Sequence, residues 1–129
     1  MKRVSSDHTI RYAQEADLSL LVELDGSILE MGESYWVKIT ATCVPPDVGR
    51  PGGIAYSLTL HSPDGERLVG FDNAHPVWDG SGPASRRDPP YDHHHRGNRA
   101  KPYEYADAAT LLGDFWAEVI DVLREEGIP

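Results

Sequence analysis

One short segment of the chain places a carboxylate, an amide and an imidazole within four residues. It runs Phe-Asp-Asn-Ala-His-Pro and contains Asp72, Asn73 and His75. The segment falls where a predicted strand ends, and polar groups at a strand end are held firmly while still reaching solvent. The alternative is an Asx-type turn, in which Asp72 or Asn73 caps the strand exit. Spacing alone leaves both interpretations open, so all three side chains are candidate catalytic groups.

A second segment is a run of three histidines. Asp92 precedes His93, His94 and His95. If the run is extended, His93 and His95 share a face and His94 points away. Histidine titrates near neutral pH, so these side chains could act as general acid and base. Two alternatives remain open, namely a solvated polar loop and a divalent metal site, such as zinc, with His93, His95 and Asp92 as ligands. Adjacent histidines cannot all face one ion, and we therefore expect no required metal or other cofactor.

The charge distribution bears on the substrate. The chain carries a formal charge of −9, which argues against non-specific nucleic-acid binding over the whole surface. The histidine run is nevertheless followed by three cations, Arg96, Arg99 and Lys101. Cleavage of RNA beside its own 2′-hydroxyl needs a base, an acid and a cation on the phosphate, and no metal. The composition permits this chemistry, with the three cations as substrate-binding residues.

The elements that must position these groups are mostly strands. Alternating apolar residues predict a long strand over residues 35–44 and a half-buried strand over 18–24. Residues 54–61 and 68–72 flank a Ser-Pro-Asp-Gly turn and predict a hairpin. The pattern indicates an antiparallel sheet of about four to six strands.

The clearest element is a C-terminal helix over about residues 107–126. Asp107 is a good N-cap, and the apolar side chains recur at helical spacing. We expect a stripe that includes Leu112, Phe115, Trp116 and Val119 to lie across one face of the sheet. The predicted fold class is therefore α+β, an antiparallel sheet with one C-terminal amphipathic helix packed on one face.

Length and composition indicate one domain over residues 1–129. Residues 1–16 are expected to be a loosely ordered N-terminal segment, and 73–102 a long functional loop region. The one cysteine, Cys43, is expected to be buried in a strand and cannot form an internal disulfide. No apolar stretch is long enough for a membrane helix or a signal peptide. A cytoplasmic protein without membrane contact is the expectation.

The order of motifs along the chain resembles the TumE-type family, small proteins assigned as toxins of toxin–antitoxin pairs. The resemblance runs from about residue 18 to 123. The motifs that carry it are Leu24-Asp25-Gly26-Ser27, Phe71-Asp72-Asn73-Ala74-His75, Asp92-His93-His94-His95, Tyr103-Glu104-Tyr105 and Leu111-Leu112-Gly113-Asp114-Phe115-Trp116. The family usually shows Asp-Asn-Ala-Pro-His-His followed by a Pro-His-His-Lys-His-like run. Here His75 precedes Pro76, and Arg96 stands near the usual lysine.

The resemblance implies a toxin with a cognate antitoxin as its partner. Together with the residues above, it leads to the hypothesis of a ribonuclease that uses histidine acid–base chemistry. The alternatives are a non-catalytic module that binds a metal or a protein, and an inactive structural relative. The oligomeric state stays open, with a homodimer among the states considered.

Overall fold

The computed structural model describes residues 16–73 and 92–128. Residues 16–22 are helical and are called α1. The other elements are β1 (Ser27–Gly32), β2 (Tyr35–Cys43), β3 (Ile54–His61), β4 (Arg67–Asp72), β5 (His93–Arg96), β6 (Arg99–Pro102) and α2 (Ala108–Glu125). Most of the segment assigned to a loosely ordered N-terminus lies outside the described residues, and so does His75.

The six strands form one antiparallel sheet in which every strand pairs with its neighbours in sequence. Alternation along each strand gives the sheet two faces. In β2, Val37, Ile39 and Ala41 are buried, whereas Lys38 is exposed. The face that carries α2 is called the helix face, and the other is called the distal face. The predicted α+β class, the antiparallel sheet and the C-terminal helix are confirmed.

Residues 18–24, which were predicted to form a strand, instead belong largely to α1. A strand with period two would bury Leu20 and expose Leu21. In the structure Leu21 is completely buried and Leu20 is half exposed. Burial of Leu21 with partial burial of Leu18 and Val22 follows helical spacing. The strand prediction was wrong because a short apolar run fits both periods.

Residues 93–102, which were predicted as part of a long loop, form the β5–β6 hairpin. Arg96 pairs with Arg99 across a two-residue turn, and Gly97 adopts a φ of 60°. A Gly-Asn pair suits such a turn because its first residue needs positive φ. The strands are four residues long and polar, so they lack the alternation that marks a strand in sequence.

The helix α2 begins at its predicted cap. The Asp107 carboxylate accepts a hydrogen bond from the Thr110 amide at 2.7 Å. Asp17 of α1 accepts from two further amides of the first turn, those of Ala108 and Ala109. These three donors would otherwise lack helical partners, so the two carboxylates stabilise the helix start.

The buried stripe of α2 differs in part from the predicted one. Leu111, Phe115 and Val119 are fully buried, whereas Leu112 and Trp116 are only partly buried. The Phe115 ring meets the Phe71 ring of β4 edge to face, with centroids 6.1 Å apart. These rings form the centre of contact between helix and sheet.

Cys43 is exposed, which corrects the expectation of a buried residue, because it ends β2 beyond the buried part of that strand. In the described ranges, no helix is long and apolar enough to cross a membrane.

Candidate functional site

The register of β4 and β5 joins the two candidate segments. Asp72 stands opposite His93, and Phe71 stands opposite His94. Because side chains alternate along both strands, Asp72, His93 and His95 lie on the distal face, whereas His94 lies on the helix face. The sequence-based prediction that His93 and His95 share a face is confirmed.

Asp72 contacts both imidazoles of the distal face. Its Oδ1 lies 3.0 Å from His93 Nε2, and its Oδ2 lies 3.4 Å from His95 Nε2. The two imidazole rings are nearly perpendicular, with centroids 4.4 Å apart. All three side chains are at least 85% buried, and we call them the Asp72 cluster. One carboxylate thus fixes the orientation of two imidazoles on rigid strands.

Arg67, which no motif in the sequence indicates, adds a positive charge beside this cluster. A Cβ added to Gly70 would lie 3.2 Å from Arg67 Cδ and 3.5 Å from His95 Cδ2, so both side chains pack over that glycine. Simple alternation would place Arg67 on the face of Val69. A register shift at Leu60–His61 changes this, and bulges commonly re-aim side chains in this way.

The environment lowers the pKa of His95. Burial is the largest cause, and the positive charge of Arg67 and the neighbouring His93 act in the same direction, whereas Asp72 opposes them. A lowered pKa keeps this imidazole neutral at pH 7. It can therefore accept a proton there.

His94 belongs to a different environment on the helix face. Its ring stacks on Phe71 with centroids 4.3 Å apart, and its Nε2 lies 3.4 Å from Glu118 Oε1. Burial lowers its pKa, and the charge of Glu118 only partly compensates. The structure therefore does not bring His94 together with His93 and His95, and its ring fills the space between the sheet and α2.

The three cations expected to bind substrate also lie on the helix face. Arg96 forms ion pairs with Glu118 and, at 2.7 Å, with Glu125. Arg99 and Lys101 pair in register with Arg96 and His94 and line a cavity of about 520 Å³ next to α2. The sheet separates this cavity from the Asp72 cluster.

Asn73 is engaged within the sheet. Its Oδ1 accepts from the Tyr56 amide at 2.9 Å, and its Nδ2 donates to the Ile54 carbonyl at 2.7 Å. The side chain is buried and pairs with backbone groups of β3 just beyond the end of β4. These contacts extend the pairing between β4 and β3; they do not form a local Asx-type turn, and neither of them is made to an imidazole.

We expect Asn73→Ala to lower the free energy of unfolding by about 1–3 kcal/mol, because two buried backbone groups lose their partners. Urea unfolding at equilibrium measures the change. Asn98, the other asparagine, lies in the exposed β5–β6 turn. Asn98→Ala is therefore the matched control, with a change within about 0.5 kcal/mol. Wild-type stability of Asn73→Ala would instead show that these two hydrogen bonds do not stabilise the fold.

Asp92, which its position in the sequence makes a candidate metal ligand, contacts Tyr56 and not the imidazoles of the Asp72 cluster. Its Oδ2 accepts a hydrogen bond from Tyr56 Oη at 2.6 Å, and burial raises the pKa of this carboxyl group. The carboxylate that joins His93 and His95 is that of Asp72. One ligand atom from each member of the Asp72 cluster lies within 4.8 Å of the others, so these three residues, and not Asp92, could hold a metal ion.

Comparison with known proteins identifies the family. Residues 2–123 match the family model described as toxin TumE. The chain belongs to the TumE toxin family. No curated protein and no solved structure gives a significant match. Membership of the TumE family implies a toxin of a toxin–antitoxin system, and the Asp72 cluster combines residues from two of the motifs that carry the resemblance, Phe71–His75 and Asp92–His95.

Proposed function

We propose that this chain is a toxin that cleaves RNA beside a 2′-hydroxyl group, with His93 and His95 as the acid–base pair. The observation that carries the proposal is the contact of both imidazoles with one buried carboxylate, that of Asp72. Family membership supports the toxin role, and the site supports the chemistry. Two neighbouring imidazoles can catalyse this cleavage without a metal, one as the base and the other as the acid.

Each residue has a defined role in this mechanism. His95, kept neutral, accepts the proton of the 2′-hydroxyl, whose oxygen attacks the phosphorus. His93 donates a proton to the leaving 5′-oxygen, so the products are a 2′,3′-cyclic phosphate and a free 5′-hydroxyl. Asp72 engages Nε2 of both rings, so proton exchange with the substrate occurs at Nδ1.

Arg67 replaces the helix-face cations as the phosphate contact in this proposal. It packs over Gly70 next to His95 and is exposed to solvent. A guanidinium group there could stabilise the charge that develops on the phosphate. Arg99 and Lys101 would contact only an RNA strand that passes around the β6 edge.

The biological setting follows from the family. We propose a cognate antitoxin protein as the partner and the cytoplasm as the site of action. A non-catalytic binding module and an inactive relative remain the competing functions, and the following experiment separates them.

The test uses protein purified without a nickel column. Two oligonucleotides of one sequence are incubated with it in the presence of a chelator, one all DNA and the other with a single ribonucleotide. We expect cleavage of the second alone, with a 2′,3′-cyclic phosphate end, because the 2′-hydroxyl is the nucleophile. Growth arrest on induced expression without any RNA cleavage would exclude the ribonuclease. Absence of both would support the inactive relative.

A further inference from the structure

We propose that Asp72, His93 and His95 also form a binding site for one divalent ion of the zinc class, and that occupancy of this site inhibits the toxin. The first part rests on geometry alone. The second rests on the proposed function, because it concerns the acid–base role of the same imidazoles.

The donor atoms of the three residues lie close enough together to be drawn around one ion. Zinc–nitrogen and zinc–oxygen bonds of about 2.0–2.1 Å at tetrahedral angles separate neighbouring ligand atoms by about 3.3 Å. Asp72 Oδ1 lies 3.0 Å from His93 Nε2 and Asp72 Oδ2 lies 3.4 Å from His95 Nε2, and one ligand atom from each of the three residues lies within 4.8 Å of the others. An ion could therefore bind after small side-chain movements, with a fourth position left for water.

The site is rigid before any ion binds. Asp72 and His93 are paired residues of adjacent strands, and His95 follows on the same strand. All three side chains are largely buried, so little side-chain entropy is lost on coordination. Preorganisation of this kind raises affinity.

The donor set selects the class of ion. Two imidazole nitrogens and one carboxylate oxygen suit zinc, nickel or copper, whereas magnesium and calcium prefer sites built of oxygen. The carboxylate of Asp72 offsets one charge of the ion. Arg67 opposes binding, but its side chain is exposed and can turn toward solvent.

Coordination would change the protons on both rings. An ion bound through Nε2 leaves the proton of a neutral imidazole on Nδ1. His95 then has no lone pair with which to accept the 2′-hydroxyl proton. We therefore expect RNA cleavage to fall as the site fills.

The binding test is a titration of the metal-free, full-length protein with zinc chloride, in competition with a chromophoric chelator. We expect one zinc ion per chain, no response to magnesium, and affinity at least about tenfold weaker in His93→Ala and in His95→Ala. His61→Ala is the matched control, because His61 lies outside the cluster and stacks on Trp36. Circular dichroism confirms that each variant is folded, and Asp72→Asn replaces any variant that is not.

The outcomes separate the two proposals. Absence of zinc binding, or equal binding by the cluster variants and wild type, would overturn the metal site and leave the ribonuclease proposal intact. Zinc binding with loss of RNA cleavage supports both. Cleavage that requires zinc would overturn the inhibitory role and the metal-independent mechanism, while the site itself would stand.

Discussion

His93→Ala and His95→Ala are each expected to reduce RNA cleavage by about 100-fold or more, because one positioned acid or base contributes about 10²–10⁴ to the rate. The double variant should lose little more than either single one, since groups that act as a unit fail together. Cleavage of the single-ribonucleotide substrate at fixed pH gives the rates.

His94→Phe is the informative comparison for this prediction. A phenyl ring retains the stack on Phe71, and the structure places His94 on the helix face, so we expect a change of only a few fold. His61→Gln controls for the loss of any histidine. A large loss in His94→Phe with wild-type stability would show that the assignment of roles by sheet face is wrong.

The pH dependence of RNA cleavage tests the assignment of His95 as the base, because it depends on the position of the acidic limb and not on the size of the rate. His95 must be neutral to act as a base, so activity should fall as pH falls through its pKa, which lies below the ordinary 6.5. The charge of Arg67 contributes to that lowering. Arg67→Ala removes the repulsion, raises the pKa of His95 and should move the acidic limb to higher pH. If the acidic limb of the Arg67→Ala profile stays where it is in the wild type, either Arg67 does not act on His95 or His95 is not the base.

Phe115→Ala is expected to lower the free energy of unfolding by about 3–5 kcal/mol. The Phe115 side chain is fully buried against Phe71, and its removal leaves a cavity between α2 and the sheet. Trp116→Ala removes a larger but only partly buried ring, and we expect about 1 kcal/mol.

Urea unfolding of both variants, with m-values equal to that of the wild type, measures this difference. The adjacent pair controls for helix propensity, because both rings are replaced by alanine in the middle of α2. A larger loss in Trp116→Ala than in Phe115→Ala would contradict the observed packing. It would instead favour the sequence-based expectation that Trp116 lies in the core.

Local patterns in the sequence were sufficient for several features. Periodicity identified β2 and α2, the Asp107 side chain identified the helix start, and paired motifs identified the family. The relation between His93 and His95 was also predictable, because alternation within one strand depends only on the backbone. The same alternation gave a wrong prediction for residues 18–24, because most of this segment belongs to the helix α1.

Only the tertiary structure decided which groups share the site. The pairing of Asp72 with His93 depends on the register between strands far apart in sequence, and periodicity does not specify it. The register between β5 and β6 places Arg99 and Lys101 on the helix face, and a register shift at Leu60–His61 brings Arg67 to the distal face. The sequence alone therefore predicted that His93 and His95 lie side by side. Strand pairing, a long-range property of the folded chain, determined that Asp72 and Arg67 lie next to them.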